Sequence, residues 1–157
     1  DIVAKKSKSA GGEGISVVGV DRLMTQLAKC CKPVPPDPIL GFVTRGRGIS
    51  VHRRDCKSLA DLVRRQPERA IEADWGTKSA GVFPVDIAVQ ANDRQGLLRD
   101  ISEVLSKERI NVTAVNTLSK NNVATMQFTV EVGDADHLRR ALGQVAEVAG
   151  VFSARRR

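Results

Sequence analysis

Apolar positions in the second half of the chain follow two rhythms. From Phe83 to Ala91, the residues Phe83, Val85, Ile87, Val89 and Ala91 share one face, and Asp86, Ala88 and Gln90 take the other. That two-residue period predicts a half-buried strand. Leu97, Leu98, Ile101, Val104 and Leu105 then make the apolar stripe of a helix from about Gly96 to Arg109. Val112 to Leu118 and Met126 to Val132 read as two further strands, with Asn121-Asn122 turning between them. Leu138, Ala141, Leu142 and Val145 form a second helical stripe, Gly150 stops it, and Val151 to Ala154 is suited to a last strand. The order β-α-β-β-α-β predicts a sheet covered on one face by two helices, the ferredoxin-like arrangement.

The first half is less regular. Asp21 is placed to cap a short helix in which Leu23, Leu27 and Cys31 recur at four-residue spacing beside Met24, and which Pro33 ends. Such a helix would deliver Cys30 and Cys31 at its C-terminus. Ile39 to Thr44 and Ile49 to Arg53 are β-like runs around Arg45-Gly46-Arg47-Gly48, predicting a hairpin with an arginine-rich tip. Leu59, Leu62 and Val63 predict a helix that Pro67 stops, and Ile71, Ala73 and Trp75 alternate as a closing strand. The fold class expected is α+β: residues 1–14 a polar Lys- and Gly-rich linker, 15–79 a small cysteine-containing α/β module, and 80–157 the ferredoxin-like domain. A module this small buries only about 60% of its unfolded surface, so the first is expected to need a staple such as a metal ion or a docked partner.

Charge sharpens this division. Residues 1–80 carry 15 Lys and Arg against 9 Asp and Glu, whereas residues 81–157 carry 10 against 9. Seven basic side chains fall between Arg45 and Arg65, with only Asp55 and Asp61 to oppose them. A phosphate backbone is drawn to such a cluster through counterion release, although a solvated basic face has the same composition. No stretch approaches 18 apolar residues and no signal-peptide pattern opens the chain, so no membrane association is expected and the cytoplasm is the expected compartment. Three cysteines, an odd number, then argue for reduced thiols.

Cys30, Cys31, His52 and Cys56 offer four soft or borderline ligands. Zinc accepts a Cys₃His set, and four protein ligands leave no position for water, so a zinc here would be structural. Adjacent cysteines on a continuous helix diverge by about 100°, so both reach one ion only if the chain leaves the helix between them. The alternative is two buried thiols and an exposed histidine. At the hairpin tip Arg45 and Arg47 carry planar guanidinium groups suited to phosphate, but no aromatic stripe accompanies them, so RNA would be met through shape and backbone. In the loop Asn92-Asp93-Arg94-Gln95-Gly96, a helix N-terminus is placed for a small carboxylate and Asp93 for an ammonium group; Asp93 as a simple N-cap is the alternative. His137 reads as a surface residue. No phosphate-cradling loop, nucleophile elbow or deaminase signature is present, so no catalysis by this chain is expected.

The run Leu27-Ala28-Lys29-Cys30-Cys31-Lys32-Pro33-Val34-Pro35, followed by Ile39 to Asp55 and Cys56, resembles the conserved-cysteine or zinc-finger module, also called the ribosome-intersubunit domain, of long RelA/SpoT homologues. These are bacterial GTP pyrophosphokinases, which make (p)ppGpp. Asn92 to Asp100, together with Arg155-Arg156, is similar to the ACT domain that closes those proteins. The resemblance, closer to the ribosome-associated synthetase branch than to the bifunctional one, implies upstream catalytic domains and a regulatory role. It implies docking near the ribosomal A site, with ribosomal RNA and A-site tRNA as partners; the alternative is a small-molecule sensor, for branched-chain amino acids, that dimerises through its ACT sheet. By position it implies a zinc set of Cys30, Cys31, His52 and Cys56, and an RNA-facing group of Arg45, Arg47, Arg53 and Arg54. It places Asp93, Gly96, Leu97 and Asn111 where some ACT domains hold an amino acid. Gln95 replaces the proline of the common D-R-P-G loop and Ala91 a histidine found in some binders, and both departures weigh against that ligand.

Overall fold

The computed structural model describes residues 15–17, 24–76 and 81–157, and the chain divides into two compact units between Phe83 and Pro84. The first contains β1 (Ile15–Val17), β2 (Thr25–Leu27), β3 (Ile39–Val43), β4 (Ile49–Arg53), α1 (Lys57–Arg65), a 3-10 turn (Pro67–Arg69) and β5 (Ala70–Trp75). They form a five-stranded sheet in the order β1-β5-β3-β4-β2, with β2 parallel to β4 and the other pairs antiparallel. Strand alternation divides the apolar residues between two clusters. Ile39, Ile49, Val51 and Ala73 gather with Leu27, Ile71 and Trp75, while Phe42 and Leu40 meet Cys31, Cys56, Leu59, Leu62 and Val63 around α1. Ser50 and His52 lie opposite Phe42 and Leu40 in register, so they share the face with the cysteines.

The expected helix carrying Cys30 and Cys31 is not what forms. Asp21 and Leu23 lie outside the described residues, but Thr25 to Leu27 is a strand, and the cysteines follow in a turn closed by the Lys32 N–H on the Ala28 carbonyl at 3.1 Å. A strand lets Thr25 bury, at 3% exposure, and lets Leu27 join the Ile39–Val51 cluster. Lys32 takes a positive φ of 46°, which ends any helical continuation. The four-residue spacing of Leu27 and Cys31 is therefore coincidental with helix period.

The arginine hairpin forms as expected. Thr44 donates its N–H and its hydroxyl to the Gly48 carbonyl at 2.8 and 2.7 Å. Gly46 and Gly48 both have positive φ, 85° and 74°, but only Gly48 is also crowded: a Cβ there would sit 2.1 Å from the Met24 carbonyl oxygen. Gly46→Ala is thus expected to cost the first unit about 1–2 kcal/mol of left-handed strain, and Gly48→Ala clearly more. Urea melts of the two variants check the order.

The second unit contains β6 (Phe83–Asn92), α2 (Leu97–Lys107), β7 (Asn111–Lys120), β8 (Val123–Val132), α3 (Ala135–Ala146) and β9 (Val151–Arg156), with sheet order β7-β8-β6-β9. This is the expected βαββαβ domain. The even positions of β8 and the odd positions of β6 are buried, as are Leu97, Ile101 and Leu105 of α2 and Leu138, Ala141 and Val145 of α3. Asn121 and Asn122, at φ 54° and 65°, make the tight turn that lets β7 and β8 run longer than their apolar alternation indicates. His137 departs from its surface reading. It is half-buried, with Nδ1 accepting from the Gly133 N–H at 3.1 Å and Nε2 lying 2.7 Å from the Glu108 carbonyl, tying the start of α3 to the end of α2. No helix among the described residues is long and apolar enough to cross a membrane.

Candidate metal centre and basic hairpin

Three separate pieces of chain converge at one end of the first sheet. The turn after β2 supplies Cys30 and Cys31, β4 supplies His52, and Cys56 stands at the N-cap of α1. Their ligand atoms all lie within 4.8 Å of one another. His52 Nδ1 is 3.4 Å from Cys30 Sγ and 3.9 Å from Cys31 Sγ, and Cys30 Sγ is 3.6 Å from Cys56 Sγ. Around a tetrahedral zinc, with Zn–S near 2.3 Å and Zn–N near 2.0 Å, ligand atoms stand about 3.5–3.8 Å apart. The cluster fits such an ion with little movement. The turn resolves the adjacent-cysteine problem, since the chain is not helical where the two side chains must converge.

Electrostatics in the cluster point the same way. Burial, reinforced by the charges of Cys30 and Cys56, pushes the Cys31 thiol up to about 12, and the N–H of Arg53 opposes this from 3.3 Å. Cys30 is also raised, first by desolvation and then by its contact with Cys56. At Cys56 burial raises the thiol, but the Leu59 N–H and the two neighbouring thiols outweigh it, so it falls below the ordinary value. Burial lowers His52, keeping its ring neutral and able to ligate. Three crowded thiols resist ionising together without a cation, and a divalent ion relieves that repulsion.

The four basic residues singled out from the sequence divide into two kinds. Arg45 and Arg47 are exposed at the hairpin tip, and neither side chain meets a carboxylate among the described residues. Arg53 is braced instead: its guanidinium pairs with Asp55 at 2.9 Å and reaches the Cys31 carbonyl at 3.4 Å. Asp55 holds it above the usual arginine value. Arg54 pairs with Glu72 at 2.6 Å. Beside the tip, Arg47 and Lys29 flank a cleft of about 550 Å³ whose lining includes Gln26, Leu27 and Ser50. The bracing of Arg53 on the cysteine turn had no sequence signal beyond the proximity of Asp55.

In the second unit Asp93, Gly96 and Leu97 come together with Thr117 and Met126 around a hollow of about 410 Å³. Gly96, at φ 81°, is the N-cap of α2, so Asp93 is not. Arg94 pins the loop through the Ala149 carbonyl and Asp100, at 3.0 and 2.8 Å, and holds the Asp100 carboxyl below its usual range. Asn111 is elsewhere: it begins β7, six residues or about 20 Å of strand from Thr117, and donates to Glu131 at 3.0 Å.

Residues 15–76 match the family model of the RelA/SpoT RIS domain and residues 79–156 that of the ACT domain. The chain is 43% identical over 153 residues to a GTP pyrophosphokinase of Escherichia coli strain K12, covering 96% of this chain and 21% of the relative. It is 46% identical over 150 residues to a GTP pyrophosphokinase of Streptomyces coelicolor, covering 94% and 18%. The chain thus spans about a fifth of the length of the curated relatives it matches. Among solved structures, the ACT domain from GTP pyrophosphokinase of Chlorobium tepidum is 25% identical, with a TM-score of 0.44, covering 48% of this chain and 99% of that one.

Proposed function

Because the chain belongs to the RelA/SpoT family, as a RIS domain followed by an ACT domain, we propose that it docks a (p)ppGpp synthetase on the ribosome and passes the state of the A site to catalytic domains upstream. The observation that carries this reading is the pair Arg45 and Arg47, exposed on a two-stranded support and without carboxylate partners among the described residues. Phosphate contacts need cations not already neutralised by their own chain. Ribosomal RNA and A-site tRNA are the partners, and the compartment is the cytoplasm. The cluster Cys30, Cys31, His52 and Cys56 holds a structural zinc that stiffens the support. Arg53 and Arg54, each paired, contribute to the base of the hairpin more than to RNA contact. Co-sedimentation of the chain with purified ribosomes across a salt series tests the docking: binding that falls steeply with salt supports it, and no binding at low salt overturns it.

The sequence carries no phosphate-cradling or metal-carboxylate pattern, so the purified chain is expected to make no (p)ppGpp from ATP and GTP. Thin-layer chromatography of a labelled reaction checks this, and synthesis by homogeneous protein would refute it.

A second reading, amino-acid sensing by an ACT dimer, has one observation in its favour. The edge strand β7 exposes Val115 at 43% and Leu118 at 68% beside the Asp93 hollow, and an unprotected edge is a template for pairing with a second copy. Asn111 is not among the residues lining the hollow, and Gln95 and Ala91 lack features common in binders. Valine, leucine and isoleucine are expected to bind no tighter than millimolar, equivalent to about 4 kcal/mol. Calorimetry returning a micromolar site that Asp93→Ala abolishes would move the sensor reading ahead of docking.

A further inference from the structure

The structure assigns Ser50 a positioning role at the metal centre: its hydroxyl fixes which nitrogen of His52 faces the three thiols. This inference rests on the reading of Cys30, Cys31, His52 and Cys56 as a metal site. Ser50 Oγ lies 3.3 Å from His52 Nε2, while Nδ1 on the opposite side of the ring points at Cys30 and Cys31. Two residues apart on β4, Ser50 and His52 face the same side of the sheet. On β3 their cross-strand neighbours, Phe42 and Leu40, offer no polar side-chain atom, and on β2 Gln26, beside Ser50, gives its amide N–H to the Arg47 carbonyl at 3.4 Å, which leaves Ser50 as the neighbour that meets Nε2.

A neutral imidazole carries one N–H and one lone pair, and a serine hydroxyl can donate or accept, so it serves Nε2 in either form; a cation at Nδ1 selects the form in which Nε2–H donates to Ser50 Oγ. With the proton on Nε2, the ring donates to Ser50 Oγ and Nδ1 offers its lone pair to an incoming cation. With the proton on Nδ1, the N–H would point at the sulfurs and the metal would meet no lone pair. His52 is only 5% exposed, so bulk water is poorly placed to take over when the hydroxyl is removed. Such outer-shell partners are worth about 10- to 100-fold in metal affinity. Ser50 also lines the cleft beside Lys29 and Arg47, so the hydroxyl that orients the ligand lies next to the basic tip.

The test titrates the reduced, metal-free chain with Co²⁺, reading the thiolate charge-transfer and tetrahedral ligand-field bands, and then displaces the cobalt with Zn²⁺. Wild-type protein, Ser50→Ala and Ser50→Thr are compared. Ser50→Ala is expected to bind Co²⁺ about 10- to 100-fold more weakly. Ser50→Thr, which keeps the hydroxyl, restores the affinity. Equal affinity in Ser50→Ala overturns the role of Ser50 and leaves the metal site standing, whereas wild-type protein that takes up no Co²⁺ overturns the metal reading itself. Melting of the variant in excess Zn²⁺ separates weakened ligation from misfolding, because a folded Ser50→Ala module still melts cooperatively, at a midpoint lowered by no more than its weaker affinity accounts for.

Discussion

Cys30→Ala and Cys56→Ala are both expected to abolish stoichiometric zinc and to loosen the first module, lowering its melting midpoint, while the ACT domain is spared. Binding free energies at structural zinc sites are on the order of 10 kcal/mol, and a module of this size has little stability to spare. The two variants are not equivalent. Cys30 is exposed and contributes to the module mainly through its sulfur, whereas Cys56 is 8% exposed and packs with Phe42 and Leu59. Once a chelator has stripped the metal, Cys30→Ala should match the stripped wild type, and Cys56→Ala should remain weaker by about 1 kcal/mol of lost packing. Metal analysis of reduced protein, with thermal melts resolved into two transitions, reads both effects. Wild-type protein that purifies without metal and still melts in two cooperative transitions contradicts this account of what holds the module together.

The second large effect is on ribosome binding. Arg45→Glu combined with Arg47→Glu should lower association at least tenfold near physiological salt. It should also reduce the slope of log K against log salt by about 1.4–1.8, the loss expected for two phosphate contacts. Arg54→Gln is the internal control. Its guanidinium is already engaged by Glu72, so its loss should change the slope by less than one contact. An unchanged slope in the double variant returns the tip to a solvated basic face.

Legibility of the sequence followed burial on one side only. The ACT domain was readable because its strands bury one face and its helices one stripe, so that Phe83 to Ala91 and Leu97 to Leu105 carry their own period. β4 and its neighbours in the first sheet bury residues on both faces, as at Ile49, Val51 and His52. Alternation is muted there, and the short β2 carries a helix-like spacing because Leu27 and Cys31 happen to stand four apart. The four candidate ligands were visible as a set of types, yet their convergence depended on a turn at Lys32 that no local preference of lysine announces. Likewise, only pairing separates Arg45 and Arg47 from Arg53 and Arg54, and pairing across strands, as between Arg54 and Glu72, leaves no mark in local sequence. Asn111 matches a ligand-holding position of some ACT domains by resemblance alone, and within one chain the length of β7 sets it apart from the hollow that Asp93 lines.

The central claim, that this region reads the ribosomal A site, is met most directly by measuring the affinity of the zinc-loaded chain for vacant ribosomes and for ribosomes carrying deacylated tRNA in the A site. Tighter binding to the tRNA-loaded ribosome, steeply weakened by salt and by the Arg45→Glu, Arg47→Glu pair, is the predicted result. Equal, salt-insensitive binding to both, or binding to neither, contradicts the account.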